Sequence, residues 1–361
     1  MRFKPEIQIG NRLVGPGQPV YIIAELSANH RQSFDEAVRI VHAAKQAGAD
    51  AVKLQTYTPD TITIDSSREC FRIAGGTLWD GRTLYDLYRE AYTPWEWQPR
   101  LKAVADEIGI QLFSSAFDAS AVEFLETIGV PAHKIASPEL VDIPLIEKMA
   151  RTGKPLILST GMATSDEIEE AIEAAGYAGA TQIALLRCTS AYPAPAEEMN
   201  LLSIPDLVQR FAVPVGLSDH SHGTAVAVAA VALGASVIEK HLTLSRNAGG
   251  PDSAFSLEPH EFKSLVDSVR VVEKSLGKVS YGPTPHEMKT VPFRRSLFVV
   301  APVKAGEAFT SENVRSIRPA AGLPPRYLSQ ILHSTAACDI EAGTPLSWEL
   351  VTAAVTRTKA G

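Results

Sequence analysis

Eight short apolar runs, separated by longer amphipathic stretches, constrain the fold of this 361-residue chain more than any other feature. The runs stay apolar throughout, which is typical of parallel strands that helices cover on both faces. They occupy residues 20–24, 51–54, 111–113, 133–136, 156–158, 183–186, 215–217 and 236–238. Eight such units over roughly 260 residues predict an α/β fold of the (β/α)8 TIM-barrel type. A doubly wound open sheet is the alternative, but no GxGxxG motif follows the first strand.

Capping-box patterns predict where several helices begin. Ser33, Thr93, Ser120 and Thr164 are each followed three residues later by a glutamate. In a capping box the hydroxyl accepts from the backbone three residues on, and the glutamate reaches back to the cap. We therefore expect helices to start directly after these four residues.

The sequence changes character after Leu276. Residues 277–296 are rich in Gly, Pro and charge and lack a clear period, so they predict a linker after a barrel domain of residues 1–276. Strand-like runs return at 297–303 and 345–351, with turn signals between them. Residues 297–361 therefore predict a small second domain, too small to be very stable unless it docks on another surface.

Charge and cysteine content argue against several classes of protein. Lys and Arg number 34 against 41 Asp and Glu, and this net charge of −7 argues against nucleic-acid binding. Cys70, Cys188 and Cys338 are far apart and lack CxxC spacing, which favours reduced thiols and a cytoplasmic location. No export signal is evident, and the apolar segment at residues 225–238 is too short to span a membrane.

Polar residues follow each apolar run at the same end. In a TIM barrel these strand ends surround one mouth, where barrel enzymes place their active sites. We expect a ring there made of Glu25, Lys53, Gln55, Ser114, Ser115, Lys134, Ser137, Ser159, Thr160, Thr189, Ser190, Ser218, Asp219, His220, Glu239, Lys240 and His241.

Lys53 and Lys134 lie inside apolar runs and are expected to point into the barrel. A buried ammonium requires a nearby anion. The two lysines indicate a site for the phosphate and carboxylate of one small ligand, together with the hydroxyls of Ser114, Ser137, Ser159 and Ser218. A lysine that forms a Schiff base, as in an aldolase, is the alternative.

Glu25 is a candidate for moving a proton, with a structural ion pair as its alternative role.

His220 and His241 end the seventh and eighth strands. Neighbouring strands lie about 5 Å apart, so two imidazoles at matching heights can share one metal ion. A site with few imidazole ligands and free positions for oxygen ligands favours Mn²⁺ or Mg²⁺ over a structural zinc ion. The alternative is that His220 and His241 are core histidines with satisfied hydrogen bonds. His222 lies past the end of the strand and is therefore not expected to be a metal ligand. Candidate oxygen ligands or orienting groups are Asp219, Glu239 and Asp252.

Eight segments follow one another in a specific order: AELSANH, GADAVKLQTY, FSSAFD, HKIAS, LSTGMA, LLRCTSAYPAP, GLSDHS and EKHLTL. This series resembles the sialic acid synthase family over nearly the whole chain, and the tail is similar to an antifreeze-like (SAF) domain. The resemblance implies a barrel that uses phosphoenolpyruvate and an amino sugar. It also implies a homodimer with swapped SAF domains, and a divalent metal, Mn²⁺ with Mg²⁺ or Co²⁺ as alternatives.

The resemblance also implies roles for individual residues. Glu25 matches the catalytic carboxylate, and His220 and His241 match the metal-binding histidines. The implied phosphoenolpyruvate contacts are Lys53, Ser114, Lys134, Ser137, Ser159 and Ser218. The implied sugar-binding residues are Gln55, Ser190, Tyr192, Glu239, Asp252 and Arg318, the last reaching into the partner's barrel.

Within the family, residues 76–97 and the CTSAYPAP stretch are most similar to the pseudaminic acid synthases. Ser190 stands where neuraminate synthases usually carry Asn, which favours a different hexose. Trp79, Tyr85, Tyr88 and Tyr92 either line an apolar pocket for a 6-deoxy sugar or pack a loop helix. The resemblance therefore implies condensation of phosphoenolpyruvate with 2,4-diacetamido-2,4,6-trideoxy-altrose. The alternatives are neuraminate or legionaminate synthesis, a Schiff-base pyruvate aldolase, and a non-catalytic carbohydrate-binding protein.

Overall fold

Eight parallel strands close into a barrel, which confirms the predicted architecture. The structure is a computed structural model that describes residues 3–352. A hairpin of β1 (Ile7–Ile9) and β2 (Arg12–Val14) comes first. The barrel strands are β3 (Tyr21–Glu25), β4 (Ala51–Thr56), β5 (Gln111–Ala116), β6 (His133–Ile135), β7 (Leu156–Ser159), β8 (Ile183–Cys188), β9 (Val215–Asp219) and β10 (Val237–His241). Strand β10 pairs with both β9 and β3, so the sheet has no free edge.

Helices connect the strands and cover the outside of the barrel. They are α1 (Phe34–Ala47), α2 (Pro59–Ile62), α3 (Leu84–Ala91), α4 (Gln98–Ile108), α5 (Ala119–Thr127), α6 (Ile143–Ala150), α7 (Ser165–Tyr177), α8 (Ser203–Phe211), α9 (Ala225–Ala232) and α10 (Pro259–Leu276). Helices α2 and α3 lie within the long connection between β4 and α4, which adds an extra wall at the mouth of the barrel.

Two of the four predicted helix starts are confirmed. Thr164 forms the full reciprocal box with Glu167, and Ser33 caps α1 by accepting from the Glu36 backbone. The other two are wrong. Asp118, not Ser120, caps α5, and α4 begins at Gln98, beyond Thr93.

Strand register determines which side chains face the barrel interior. Residues paired across parallel strands point to the same face. Glu25 pairs with Lys53 and with His241, and Ser218 pairs with Glu239. Glu239 and His241 are two residues apart on β10 and so point to the same face. All five side chains therefore face the barrel interior. Their neighbours in sequence face outward, where Lys240 and Asp219 form a fully buried ion pair at 2.6 Å.

The N-terminal hairpin packs against one end of the barrel. Its Gln8 N–H donates to Gln182 Oε1 at 2.6 Å, and Arg12 forms an ion pair with Asp50. Both partners directly precede barrel strands, so the hairpin lies at the N-terminal ends of the strands. The opposite end is therefore the one available for an active site.

The chain divides after Gly277 into two compact units. The second contains β11 (Ser296–Val299), β12 (Val314–Ile317), α11 (Leu328–Ile331), β13 (Thr335–Ala336) and β14 (Val351–Thr352). It has its own apolar core, formed by Leu297, Val299, Val303, Phe309, Val314, Ile331, Ala336, Ile340 and Leu346. Within residues 3–352, no helix is both long enough and apolar enough to cross a membrane.

Candidate active site

A cavity of about 400 Å³ opens at the C-terminal ends of the barrel strands. One part of its wall is polar and charged, and another part, from the connection between β4 and α4, is apolar. The polar residues are Glu25, Ser27, Lys53, Gln55, Ser115, Lys134, Ser137, Ser159, Cys188, Ser190, Ser218, His220, Glu239, His241 and Asp252. The cavity can thus hold a small anion beside a less polar group.

Lys53 lies between two buried carboxylates. Its Nζ is 2.9 Å from Glu239 Oε1 and 3.1 Å from Glu25 Oε2, and it donates to Ser115 Oγ at 3.3 Å. Burial lowers the pKa of Lys53, but the two carboxylates outweigh burial and raise it to about 12. Lys53 is therefore a permanent cation in the cavity.

Lys134 is a buried ammonium with no carboxylate as its hydrogen-bond partner. It donates to Ser159 Oγ at 2.6 Å and to the carbonyl of Ile135 at 2.7 Å. Burial lowers its pKa to about 8. A bound anion would restore the charge compensation that this side chain lacks, so Lys134 marks the anion end of the cavity.

The two carboxylates beside Lys53 have opposite pKa shifts. Burial raises the pKa of Glu25 to about 7. Burial acts on Glu239 as well, but Lys53 and Lys134 outweigh it and hold its pKa at about 2. Glu239 is therefore the fixed anion of the cluster, whereas Glu25 can gain or lose a proton near neutral pH.

We expect Glu25→Gln to make the protein more stable than the wild type at neutral pH but not at acidic pH. Between pH 4.5 and about 7 the folded state keeps a proton on Glu25 that the unfolded state has lost. The stability of the wild type therefore falls as pH rises through this window, by up to about 3 kcal/mol, and the glutamine variant lacks this loss. Thermal unfolding of both proteins across the window measures the difference. The exposed Glu170→Gln is the control, and parallel curves for Glu25→Gln and wild type would contradict the assignment.

The backbone of Gly161 comes very close to two serine hydroxyls in the part of the cavity near Lys134. Ser137 Oγ accepts from the Gly161 N–H at 3.1 Å. A Cβ at position 161 would collide with the hydroxyls of both Ser190 and Ser137. Glycine at this position therefore lets the backbone N–H and the two hydroxyls share one small region of the cavity wall.

His220 and His241 lie side by side, with ring centroids 5.4 Å apart. His220 Nδ1 is 3.0 Å from the carbonyl of Thr189, which places the proton on Nδ1 and leaves Nε2 as a lone-pair donor. His241 Nδ1 is buried without a partner, and burial lowers the pKa of this ring well below its usual range. Nε2 of His220 and the neutral ring of His241 offer two nitrogen ligands for a divalent metal. No cluster of three or more His, Cys, Asp or Glu side chains suited to a metal occurs in residues 3–352, so other ligands would have to complete the coordination.

Comparison with known protein families identifies both units. A model described as the NeuB family matches residues 40–281, which is more than half of the chain. The chain belongs to the NeuB family. A SAF domain model matches residues 294–352, which confirms the predicted SAF domain of this NeuB-family protein.

Known NeuB-family relatives resemble the chain over most of its length. Pseudaminic acid synthase of Campylobacter jejuni is 46% identical over 94% of this chain and 98% of its own. Pseudaminic acid synthase of Helicobacter pylori is 45% identical over 91% and 97%. A crystal structure of N-acetylneuraminic acid synthetase from Leptospira borgpetersenii, in complex with citrate, has a TM-score of 0.71 at 32% identity. It covers 80% of this chain and 96% of its own.

One predicted contact of the NeuB-family site is wrong. Ser114 does not line the cavity, because its Oγ lies 2.6 Å from Thr56 Oγ1 on the outer face of the barrel. Gln55 pairs with Ser115, so it is Ser115 that faces inward with Gln55. Asp219 is likewise unsuited to the metal, since it faces outward and binds Lys240.

The two remaining predicted residues of this NeuB-family protein are Tyr192, which lines the cavity, and Arg318, which belongs to the second unit. The Tyr192 ring packs at a tilt against the His220 ring, with ring centroids 4.4 Å apart, and its centroid lies 5.6 Å from that of Trp79. Arg318 belongs to the second unit, where it is exposed directly after β12, so its predicted contact with a partner's barrel stays a prediction.

Several cavity residues of this NeuB-family protein had no predicted role, and two of them are Cys188 and Ser27. Cys188 Sγ lies 3.8 Å from His220 Nδ1, and the pKa of the thiol is about 7 because His220 outweighs the effect of burial. Ser27, within the AELSANH motif, also lines the cavity. Its position shortly after β3, the first strand of the barrel, is the sequence signal that could have identified it as a cavity residue.

Proposed function

We propose that this NeuB-family barrel condenses phosphoenolpyruvate with 2,4-diacetamido-2,4,6-trideoxy-altrose and releases pseudaminic acid and phosphate. The observation that carries the proposal is a single cavity with two buried lysines at its polar end and an apolar wall opposite. The pseudaminic acid synthases at 45% and 46% identity support this choice of sugar.

Phosphoenolpyruvate would bind at the polar end of the cavity. Lys53 and Lys134 would neutralise its phosphate and carboxylate. Hydroxyls near these ammonium groups would orient the same anions, namely those of Ser115, Ser137, Ser159 and Ser218. Because Lys134 lacks a carboxylate partner, ligand binding would satisfy this buried charge rather than displace an existing ion pair.

The histidine pair would hold a divalent cation, which we propose to be Mn²⁺, with Mg²⁺ and Co²⁺ as alternatives. When bound, this cation supplies positive charge that polarises the aldehyde oxygen of the open-chain sugar. His220 would present Nε2, since Nδ1 already serves the carbonyl of Thr189. His241 would remain neutral because it is buried.

The reaction forms one carbon–carbon bond and replaces the bridging carbon–oxygen bond at carbon 2 with a bond to the oxygen of water. Carbon 3 of phosphoenolpyruvate attacks the sugar aldehyde, and water adds to the cationic carbon 2. The resulting hemiketal phosphate expels phosphate together with the bridging oxygen. Glu25, whose pKa of about 7 suits proton transfer near neutral pH, would accept the proton of the attacking water. Lys53 and Lys134 would stabilise the departing phosphate.

The apolar wall supports a 6-deoxy sugar. Trp79 and Tyr88 line the cavity, and the side chains of Ile73, Leu84 and Leu87 lie beside them. Tyr85, for which packing of the loop helix was the alternative, does not line the cavity, and its hydroxyl donates to Asp60 at 3.1 Å. A methyl group in place of a hydroxymethyl group at carbon 6 needs no hydrogen-bond partner, and this wall offers few.

Side-by-side turnover of three sugars tests the proposed function. Phosphate release would be measured with phosphoenolpyruvate, Mn²⁺ and, in turn, the altrose derivative and the precursors of neuraminate and legionaminate. We expect the altrose derivative to give the highest kcat/KM. A higher kcat/KM for either precursor would assign the enzyme to that sugar, and trapping of a lysine–pyruvate adduct by borohydride would favour the aldolase alternative.

We further propose a homodimer in which Arg318 acts in the partner's barrel, as the family resemblance implies. Mixed Glu25→Ala and Arg318→Ala chains should then regain activity, because a heterodimer holds one barrel with an intact Glu25 and a partner arginine. Phosphate release by the mixture, compared with each variant alone, measures this. Proven heterodimers without any recovered activity would contradict action in trans.

We propose a cytoplasmic location on the basis of cysteine usage. All three cysteines are free thiols, two of them exposed. Exposed free thiols suit a reducing compartment.

A further inference from the structure

Ser27 has a backbone conformation that serine rarely adopts. Its φ is 46°, in the left-handed region where residues other than glycine are uncommon. The residue comes just after β3, is only 2% exposed and lines the cavity. Strained residues persist where the surrounding structure holds them, and they cluster at functional sites. Contacts around Ser27 must therefore hold it in this conformation.

The Ser27 hydroxyl joins side chains from two different elements. Oγ donates to Oδ2 of Asp252, in the connection between β10 and α10, and the Ala28 N–H approaches the same oxygen at 3.4 Å. Oγ also accepts from Gln55 Nε2 of β4 at 2.9 Å. The same nitrogen donates to Glu25 Oε1 at 3.0 Å. A continuous chain of hydrogen bonds thus runs from Glu25 through Gln55 and Ser27 to Asp252.

This chain fixes the orientation of the Gln55 amide. Ser27 has given its proton to Asp252 and presents only lone pairs to Gln55, and Glu25 presents a carboxylate oxygen. Both neighbours therefore require the NH₂ group of Gln55 on their side. Within the described residues, no protein donor lies within hydrogen-bond distance of Gln55 Oε1 or Asp252 Oδ1. Gln55 and Asp252 both line the cavity, so two acceptors are available for a ligand.

We propose that Ser27 is a positioning residue for the amino sugar. It holds Gln55 Oε1 and Asp252 Oδ1 as acceptors for hydroxyl or amide N–H donors of the sugar, and it keeps the Gln55 amide on Glu25. This inference rests on the proposed function of the cavity. It concerns the sugar only, because the phosphoenolpyruvate end is formed by the two lysines and their neighbouring hydroxyls.

Two substitutions separate the hydroxyl from the backbone strain. Ser27→Ala removes the hydroxyl and keeps the strain, whereas Ser27→Gly removes both. We expect each to lower kcat/KM for the sugar by about ten- to a hundredfold, the effect of losing a hydrogen bond to a charged group. KM for phosphoenolpyruvate should change by less than about twofold, since binding there is untouched. Ser27→Gly should unfold at a higher temperature than Ser27→Ala, because glycine adopts this φ without strain.

Ala212→Gly is the matched control. Ala212 also has a positive φ, 52°, but it is exposed at the C-terminal end of α8, away from the cavity. This variant should keep wild-type kinetics with an unchanged or higher unfolding temperature. It shows what relief of strain alone does to the protein.

The kinetic outcomes distinguish this inference from the function on which it rests. If the wild type releases phosphate and Ser27→Ala keeps its sugar kcat/KM, the positioning role is wrong. A parallel loss for both substrates together with a lower unfolding temperature would reduce Ser27 to a structural role and also overturn the inference. A wild type that releases no phosphate with any of the three sugars would instead contradict the proposed function.

Discussion

Lys134→Met is expected to lower phosphate release by about 10²- to 10³-fold while leaving the protein folded. Removal of one preorganised group that stabilises developing charge typically costs this much, and KM for phosphoenolpyruvate should rise as well. The methionine fills a similar volume, and Glu239 keeps Lys53 as its ion-pair partner. The unfolding temperature should therefore stay the same or rise, since a buried ammonium is removed.

The control for Lys134→Met is a lysine outside the cavity. Lys45 donates to the carbonyl of Gly109 at an exposed position, and Lys45→Met should keep wild-type kinetics. Steady-state phosphate release and thermal unfolding of the three proteins measure the effect. Wild-type turnover by Lys134→Met would show that the buried ammonium does not bind the reacting anion.

His220→Ala is expected to abolish both Mn²⁺ binding and turnover. Loss of an imidazole that ligates the metal directly should weaken metal binding by more than roughly 10- to 100-fold. That smaller effect is typical when a residue that only hydrogen-bonds to a ligand is lost. Electron paramagnetic resonance of Mn²⁺ titrated with the protein measures binding without any need for activity. Removal of metal by a chelator should stop phosphate release by the wild type, and added Mn²⁺ should restore it.

His222 provides the matched control for His220. It lies two residues further along, is exposed, and does not line the cavity. His222→Ala should therefore bind Mn²⁺ and turn over like the wild type. Metal binding that survives in His220→Ala but is lost in His222→Ala would contradict the ligand assignment.

The barrel was predictable because its signal is repeated along the chain. Eight apolar runs with polar residues at one end favour one topology, even when the bounds of each strand shift by a residue. Val20 was predicted to begin the first strand, and the structure begins it at Tyr21. Such shifts do not change which ends of the strands meet at the mouth.

The details that failed depend on contacts between distant segments. Both Ser114 and Ser115 lie in the last half of β5, and only the pairing with β4 decides that Ser115 faces inward. Thr93 has the local pattern of a helix cap, but its hydroxyl lies 3.2 Å from His30 Nε2, 63 residues earlier in the chain. The proposed role of Ser27 depends on its contact with Asp252, 225 residues away in sequence. It also depends on a positive φ, which a serine in the sequence does not predict.

The mass of the released phosphate distinguishes cleavage of the carbon–oxygen bond from cleavage of the phosphorus–oxygen bond. The reaction would be run in H₂¹⁸O with phosphoenolpyruvate, Mn²⁺ and 2,4-diacetamido-2,4,6-trideoxy-altrose. Cleavage of the carbon–oxygen bond predicts a nine-carbon sugar acid together with phosphate that contains no oxygen from the solvent. Phosphate carrying one ¹⁸O would place the cleavage at phosphorus, and absence of the sugar acid would contradict the condensation itself.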